Sequence, residues 1–443
     1  MNSPAPNLPF FSAPALFAFP VALLLFSCQE SRPAFFNMQP PLSQPGTGLK
    51  ASDCGACHQN QYRDWQHSTH AAAYTDLQFQ SEISKPGAPK ELCKNCHIPL
   101  GNQRESLTDG KANPTFDAAL QQEGVTCAAC HVRTENGHSV IVGSQTSTAA
   151  TAGKSGTHVV VVDRAYLLGR CESCHQANAR FTEHYVCSFN TAQELRSGPF
   201  GKTHTCVSCH LETGTITENA IKTEPDRITA ADPGRFTRHV FPGGGVPKRF
   251  DLFPYLLTVR HDTALDFELG KIVFSQSYRS GQIQIPVQIR NARAGHSVPT
   301  ADPERFVLVR VRLLDERNGE LTRQEYRIGQ VWQWEPAKKL SDNRLAPLES
   351  RRHVFIFKST QSVRFIELTA YHVRLTKENG RYMQATAGMA DPAFQKDIAA
   401  IDRLYPFAAI LWSRRLDLVN GSSIEKDRVE RNRESVRLRG YPE

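Results

Sequence analysis

The sequence predicts an α+β chain in two folded parts: a mostly helix-and-loop domain with little apolar core of its own, then an antiparallel β-sandwich of the immunoglobulin-like type. Two observations carry this. Cys-x-x-Cys-His occurs five times between residues 54 and 210, whereas beyond about residue 270 cysteine is absent and apolar residues begin to alternate with polar ones. The 443-residue length exceeds one ordinary domain.

The chain opens with an almost wholly apolar run from Pro14 to Phe26, broken by Pro20. It is too short to span a bilayer and reads as the h-region of an export signal, residues 1–27, although the first basic residue, Arg32, follows the run. Leu25-Phe26-Ser27-Cys28 resembles a bacterial lipobox, in which Cys28 would carry a lipid and hold the chain to a membrane. An ordinary signal-peptide cysteine is the alternative. Residues 28–50, rich in Pro and Gly, form a tether.

The first folded part, 51–270, contains the motifs Cys54/Cys57/His58, Cys93/Cys96/His97, Cys127/Cys130/His131, Cys171/Cys174/His175 and Cys206/Cys209/His210. This spacing is the c-type haem attachment signature: two thiolates bind the vinyl groups of one haem and the adjacent histidine ligates its iron. Zinc would pair such units and needs no histidine after every second cysteine; an odd number of pairs cannot all be matched. Five covalently attached haem c groups are therefore expected. First cysteines lie 39, 34, 44 and 35 residues apart, so each segment must organise around its own porphyrin. The part is haem-dominated, with each motif on a short helix and little regular sheet; Gly143 to Gly156 reads as a loop or hairpin.

The far side of each iron distinguishes carrier from catalyst. No methionine lies between the first and last motifs, which disfavours His/Met ligation, while eleven histidines lie outside the motifs. His353 and His372, on expected strands, read as packing or surface residues. His204, two residues before Cys206, and His239, in a turn-rich run ending Phe241-Pro242-Gly243-Gly244, are better candidates.

Cys54 to His58 followed by Tyr62, Trp65, Ser68, His70 and Ala71 resembles the opening of multihaem c-type cytochromes related to the tetrahaem electron acceptor of hydroxylamine oxidoreductase. Cys187 through Glu194, Ser197 and Pro199 to His210, and the run around His239, are similar to later parts of that family; the resemblance covers roughly residues 51–245. It implies distal ligands at His70, His158, His204 and His239. Cys187 falls within its pattern and reads as a structural thiol.

The second part, 271–380, has Ile283, Ile285, Val287 and Ile289 in alternation, then Val307 to Leu313 and Ile366 to Ala370, with turn signals at Asn318-Gly319 and Asn379-Gly380. Gly295-His296-Ser297-Val298-Pro299-Thr300 looks like a motif of sheet domains attached to larger multihaem cytochromes, which suggests His296 as a fifth distal ligand. A turn-capping histidine is the alternative. A helical or mixed tail, 381–443, closes the chain.

The net charge of +8 gives no case for nucleic acid, because the propionates of five haems could neutralise it. The expected function is electron relay between redox proteins, in the periplasm or at the outer membrane. Two alternatives stay open: an oxidoreductase acting on a small nitrogen or sulfur compound at an open haem, and a self-assembling subunit of a haem-stacked filament.

Overall fold

The computed structural model describes residues 50–438 apart from 108, 137, 145–159, 181–185, 212, 216–234, 242, 259–262, 276–280 and 359–361. The signal segment, Cys28 and the tether, with His158 and most of the 143–156 run, lie outside the described residues. No helix among those described is long and apolar enough to cross a membrane.

Four of the cysteine motifs lie within helices, and the first spans the junction of two. The first begins in α1 (Ala51–Gly55) and ends at His58, the N-cap of α2 (Gln59–Gln66). After α3 (Leu77–Ile83), the second closes α4 (Lys90–His97). After α5 (Ala118–Gln122), the third is the whole of α6 (Cys127–His131); the fourth ends α7 (Arg164–His175) and, beyond α8 (Thr191–Ser197), the fifth is α9 (Cys206–His210). Caps make such short helices possible by satisfying their first N–H groups: Asp163 Oδ1 accepts from Tyr166 at 2.9 Å, and Thr205 and Ser208 form a reciprocal capping box.

Regular sheet is more frequent here than expected. Strands β1 (Val132–Glu135), β2 (His138–Gly143) and β3 (Val160–Val162) form one sheet; β4 (Gln176–Arg180) pairs with β5 (Val186–Asn190), and β6 (Thr213–Thr215) with β7 (Arg235–Thr237). The reason is local. Strands follow the third and fourth motifs directly, and β2 returns a backbone carbonyl to the His131 ring.

The second part is two antiparallel sheets over one core. The smaller has β10 (Gln282–Asn291) between β14 (Ser350–Lys358) and β8 (Leu265–Leu269), with β9 (Val273–Ser275) also on β10. The larger runs β13 (Ala337–Asp342), β12 (Glu320–Trp334), β11 (Phe306–Leu314), β15 (Phe365–Val373), β16 (Ala408–Asp417), β17 (Ser423–Glu425). Ile283, Ile285, Val287 and Ile289 meet Val307, Val309, Val311, Ile366 and Leu368 between the sheets. Fully burying such a side chain stabilises the fold by about 1.5–3 kcal/mol.

These sheets reach from Leu265 to Glu425, beyond the expected 271–380. The helices Lys377–Ala385, Pro392–Ala399 and Ile401–Leu404 are an insertion before β16 rather than a tail. Asn379-Gly380 is not a turn; it lies inside the first of them. Thr376 Oγ1 caps that helix at the Asn379 N–H, 3.1 Å away, and a Cβ on Gly380 would stand 2.5 Å from the Phe407 ring. Close packing, not a turn, calls for that glycine. Asn318, by contrast, has φ +66° in the β11–β12 turn, as expected.

Candidate haem-ligand sites

Three histidine pairs define the candidate sites. His175 faces His70 with ring centroids 6.2 Å apart and planes at 55°; His131 faces His239 at 6.2 Å and 39°; His210 faces His296 at 6.3 Å and 8°. An imidazole nitrogen sits roughly 2 Å from a first-row metal and its ring centre about 1 Å further back, so two rings on opposite faces of one iron stand about 6 Å apart. Rings stacked face to face are closer, as for His67 on Tyr255 at 3.8 Å.

His175 and His70 are enclosed by protein, and burial pushes their basicity down, to a pKa of about 4 and about 3. Yet the His175 ring is exposed and the His70 ring half-buried. A planar macrocycle held at its edge by the neighbouring cysteines would cover the accessible face of each ring.

Backbone contacts fix the rings. His131 Nδ1 is 2.8 Å from the Val142 carbonyl and His97 Nδ1 2.7 Å from that of Ala73, which leaves Nε2 of each for iron. His239 Nδ1 lies 2.8 Å from the Thr237 carbonyl. Its backbone N–H donates to Asp64 Oδ2 at 2.9 Å, and Asp64 also accepts from Arg238 and the Tyr255 hydroxyl. The sequence carries no signal for Asp64, which stands on α2 six residues after His58.

His70 is held by the turn at Gly124, whose φ is +60°; a Cβ there would meet the His70 carbonyl at 2.7 Å. His296 projects from the sheet part towards α8: the Ser297 N–H donates to Glu194 Oε2 at 3.0 Å, and Arg344 donates to Oε1 of the same carboxylate at 3.0 Å. Gly295 allows this approach, since a Cβ would stand 2.5 Å from Leu195.

The remaining candidates differ. His204 meets no imidazole at this spacing among the described residues; its Nδ1 is 2.8 Å from the Thr203 hydroxyl and its ring lies edge-on to Phe200. His97 stacks on Phe79 at 3.8 Å. His353 stacks on Tyr326 at 3.9 Å, and buried His372 holds the Gly244 carbonyl through Nδ1 at 2.6 Å, both in packing positions. Cys187 pairs with Ala179 in the β4–β5 register.

Thiols of different motifs approach one another. Cys127 lies beside Cys54, Cys96 beside Cys174 and Cys171 beside Cys206, while Cys130 is near Cys174. The fourth motif thus neighbours the second, third and fifth, and the third neighbours the first.

Cys57 and Cys209 differ in exposure from the other attachment cysteines. Both are exposed, whereas Cys54, Cys93, Cys96, Cys127, Cys130, Cys171, Cys174 and Cys206 are half-buried. The cause lies in the local chain. Cys57 stands in the break between α1 and α2, and α9, which carries Cys209, buries none of its own residues; the Ser208 hydroxyl stands 3.9 Å from the Cys209 sulfur. A thioether forms at the rim of a porphyrin rather than under its face, so an exposed sulfur suits attachment as well as a half-buried one.

Residues 53–132 match the family model of cytochrome c554 and c-prime. Among solved structures, the chain is similar to a penta-heme cytochrome c552 from Thermochromatium tepidum, with 17% identity and a TM-score of 0.55 over 84% of this chain and 99% of that one. A structural genomics target, at 11% identity over 38% of this chain and 97% of the other, has a TM-score of 0.16 and carries no argument. No curated protein matches. The family match, together with the attachment motifs, supports a multihaem c-type cytochrome with covalently bound haem c.

Proposed function

We propose that this chain is a five-haem electron-transfer cytochrome that relays electrons between redox proteins. The observation that carries the reading is the set of three imidazole pairs at 6.2–6.3 Å. An iron closed on both faces by histidine has no position for substrate and exchanges electrons only. In these terms His58, His97, His131, His175 and His210 are the proximal ligands, and His70, His239 and His296 the distal ligands of the fourth, third and fifth haems. The thiol neighbours suggest a route from the first haem through the third and fourth to the fifth, with the second as a branch at the fourth. Exposed Cys57 and Cys209 belong to the first and fifth motifs, the two ends of that route, where a haem edge at the surface would meet donor and acceptor. The sheet part, read as an immunoglobulin-like sandwich, contributes a ligand as well as a docking surface. Export, a lipid on Cys28, placement in the periplasm or at the outer membrane, and kinship to the hydroxylamine oxidoreductase acceptor belong to the same reading and rest on the sequence.

The test is turnover. Chemically reduced protein, offered nitrite, hydroxylamine or sulfite, is expected to pass electrons to an added redox protein and to leave the small compounds unconverted. Conversion on the scale of typical enzymes, roughly 1–1000 per second, would move the assignment to the oxidoreductase.

A further inference from the structure

A buried cluster that the ligand pairs do not use lies within electrostatic reach of His97 and His175. Lys248 donates to Asp76 Oδ2 and, at 3.2 Å, to the Tyr405 hydroxyl, which lies 3.4 Å from Gln78 Oε1. The Arg374 guanidinium packs over the Tyr405 ring at 5.2 Å and donates to the carbonyls of Pro247, at 2.8 Å, and Val246. Arg305 adjoins both: its charge acts on Lys248, Arg374 and Tyr405, and also on His175. Lys248 and Asp76 in turn act on His97.

The charges do not balance. Three cations face one buried carboxylate, Asp76, whose side chain is 7% exposed; Asp302, at the edge, stands 3.9 Å from Arg305, beyond hydrogen-bond reach. Arg305 Nε is buried without a hydrogen-bond partner. An excess cation taken out of water is costly unless an anion meets it. Burial and the two arginines lower the Lys248 pKa to about 8, as expected of an ammonium short of negative charge.

We infer that Arg305, Lys248 and Arg374 form a buried carboxylate site that takes a propionate of the haem held at the second or fourth motif, and that they tune the potential of that haem. The inference rests on the haem assignment above and names residues the attachment motifs do not. Arg305 and Arg374 belong to the sheet part, so the site also fastens that part to the haem part. A cation beside a propionate favours the reduced iron, because the added electron is met by positive charge.

The test is a spectroelectrochemical titration of the full haem-loaded chain as wild type, Arg305→Gln, Lys248→Met and Lys248→Arg, with haem content measured on each. Arg305→Gln removes a charge from a side chain that is 27% exposed and so limits the risk to folding. The expected result is a shift of one haem to lower potential in Arg305→Gln and Lys248→Met, near-wild-type behaviour in Lys248→Arg, and full haem content throughout. Unchanged potentials in both charge-removing variants would overturn the inference. So would a site filled by a free oxyanion, seen as a sulfite-induced spectral change in wild type that Arg305→Gln abolishes while potentials stay fixed. Wild-type protein without haem would instead refute the assignment on which this rests.

Discussion

The imidazoles of His210 and His296 lie parallel, 6.3 Å apart with planes 8° from one another, although one closes a cysteine motif and the other sits in a turn of the sheet part. The sheets therefore do more than pack beside the motifs: they present an imidazole to the histidine of the fifth motif. Replacing His296 with Ala should convert the His210 haem from low to high spin, leave the other haems unchanged, and be reversed by imidazole in the buffer. Unaltered visible and resonance spectra would remove His296 from the ligand set.

Asp64 organises the His131/His239 site from a distance. Its carboxylate, 3% exposed, meets Arg238 at 2.8 Å and takes the His239 N–H. Asp64→Asn keeps the shape and removes the charge, which strands Arg238. The expected loss is about 3 kcal/mol in denaturant titrations, since breaking a buried pair leaves an uncompensated charge. A spectral change at one haem should accompany it.

Gly124→Ala places a methyl group 2.7 Å from the His70 carbonyl at a residue with φ +60°. A cost of about 1–3 kcal/mol is expected from the strained backbone alone. Because the same turn holds His70, the His175 haem should be the one perturbed, and carbon monoxide binding to the reduced protein should report it.

Glu304 gives a pH dependence that can be measured without reference to iron. Burial, then Asp302 and Glu82, raise its pKa from 4.5 to about 8. A folded-state pKa above the unfolded value means the folded chain holds a proton the unfolded chain has released. Stability contributed by that proton is present below about 4.5 and is lost as pH rises towards 8, at no more than about 1.4 kcal/mol per pH unit. Glu304→Gln should flatten this slope and stabilise the protein at pH 8 relative to wild type. Parallel stability curves for the two proteins would contradict it.

Much of the site was legible because haem attachment writes itself into contiguous residues. Each Cys-x-x-Cys-His needs only local geometry; four fall within helices and the first spans the junction of α1 and α2. Which sulfurs face outward was not legible: Cys57 and Cys209 have the same immediate neighbours in sequence as Cys130 and Cys174, and only the folded setting of each helix separates them. Which histidines face one another is set by tertiary contact, so His239 could be singled out from its rigid turn and His296 from its setting, but not the histidines they face. Asp64 and Gly124 left no sequence signal, since their roles exist only once distant segments meet. Alternation in β10, β11 and β15 was clear because one face of each is buried against the other sheet. β16 was missed because Ala408–Asp417 keeps no strict alternation and its register with β15 shifts between Ala370 and Tyr371. Asn379-Gly380 misled because a glycine required for packing against Phe407 looks the same in sequence as one required for a turn.

The measurement that tests the paired-histidine account most directly is low-temperature electron paramagnetic resonance of the fully oxidised protein. Axial ligands set the spin state, and the angle between imidazole planes sets the shape of a low-spin signal. Near-parallel planes in the His210/His296 pair should give a rhombic low-spin spectrum, and the 55° crossing of His70 and His175 a more anisotropic one, with at least three low-spin irons in all. Fewer than three low-spin irons, with high-spin signals in their place, would contradict the account.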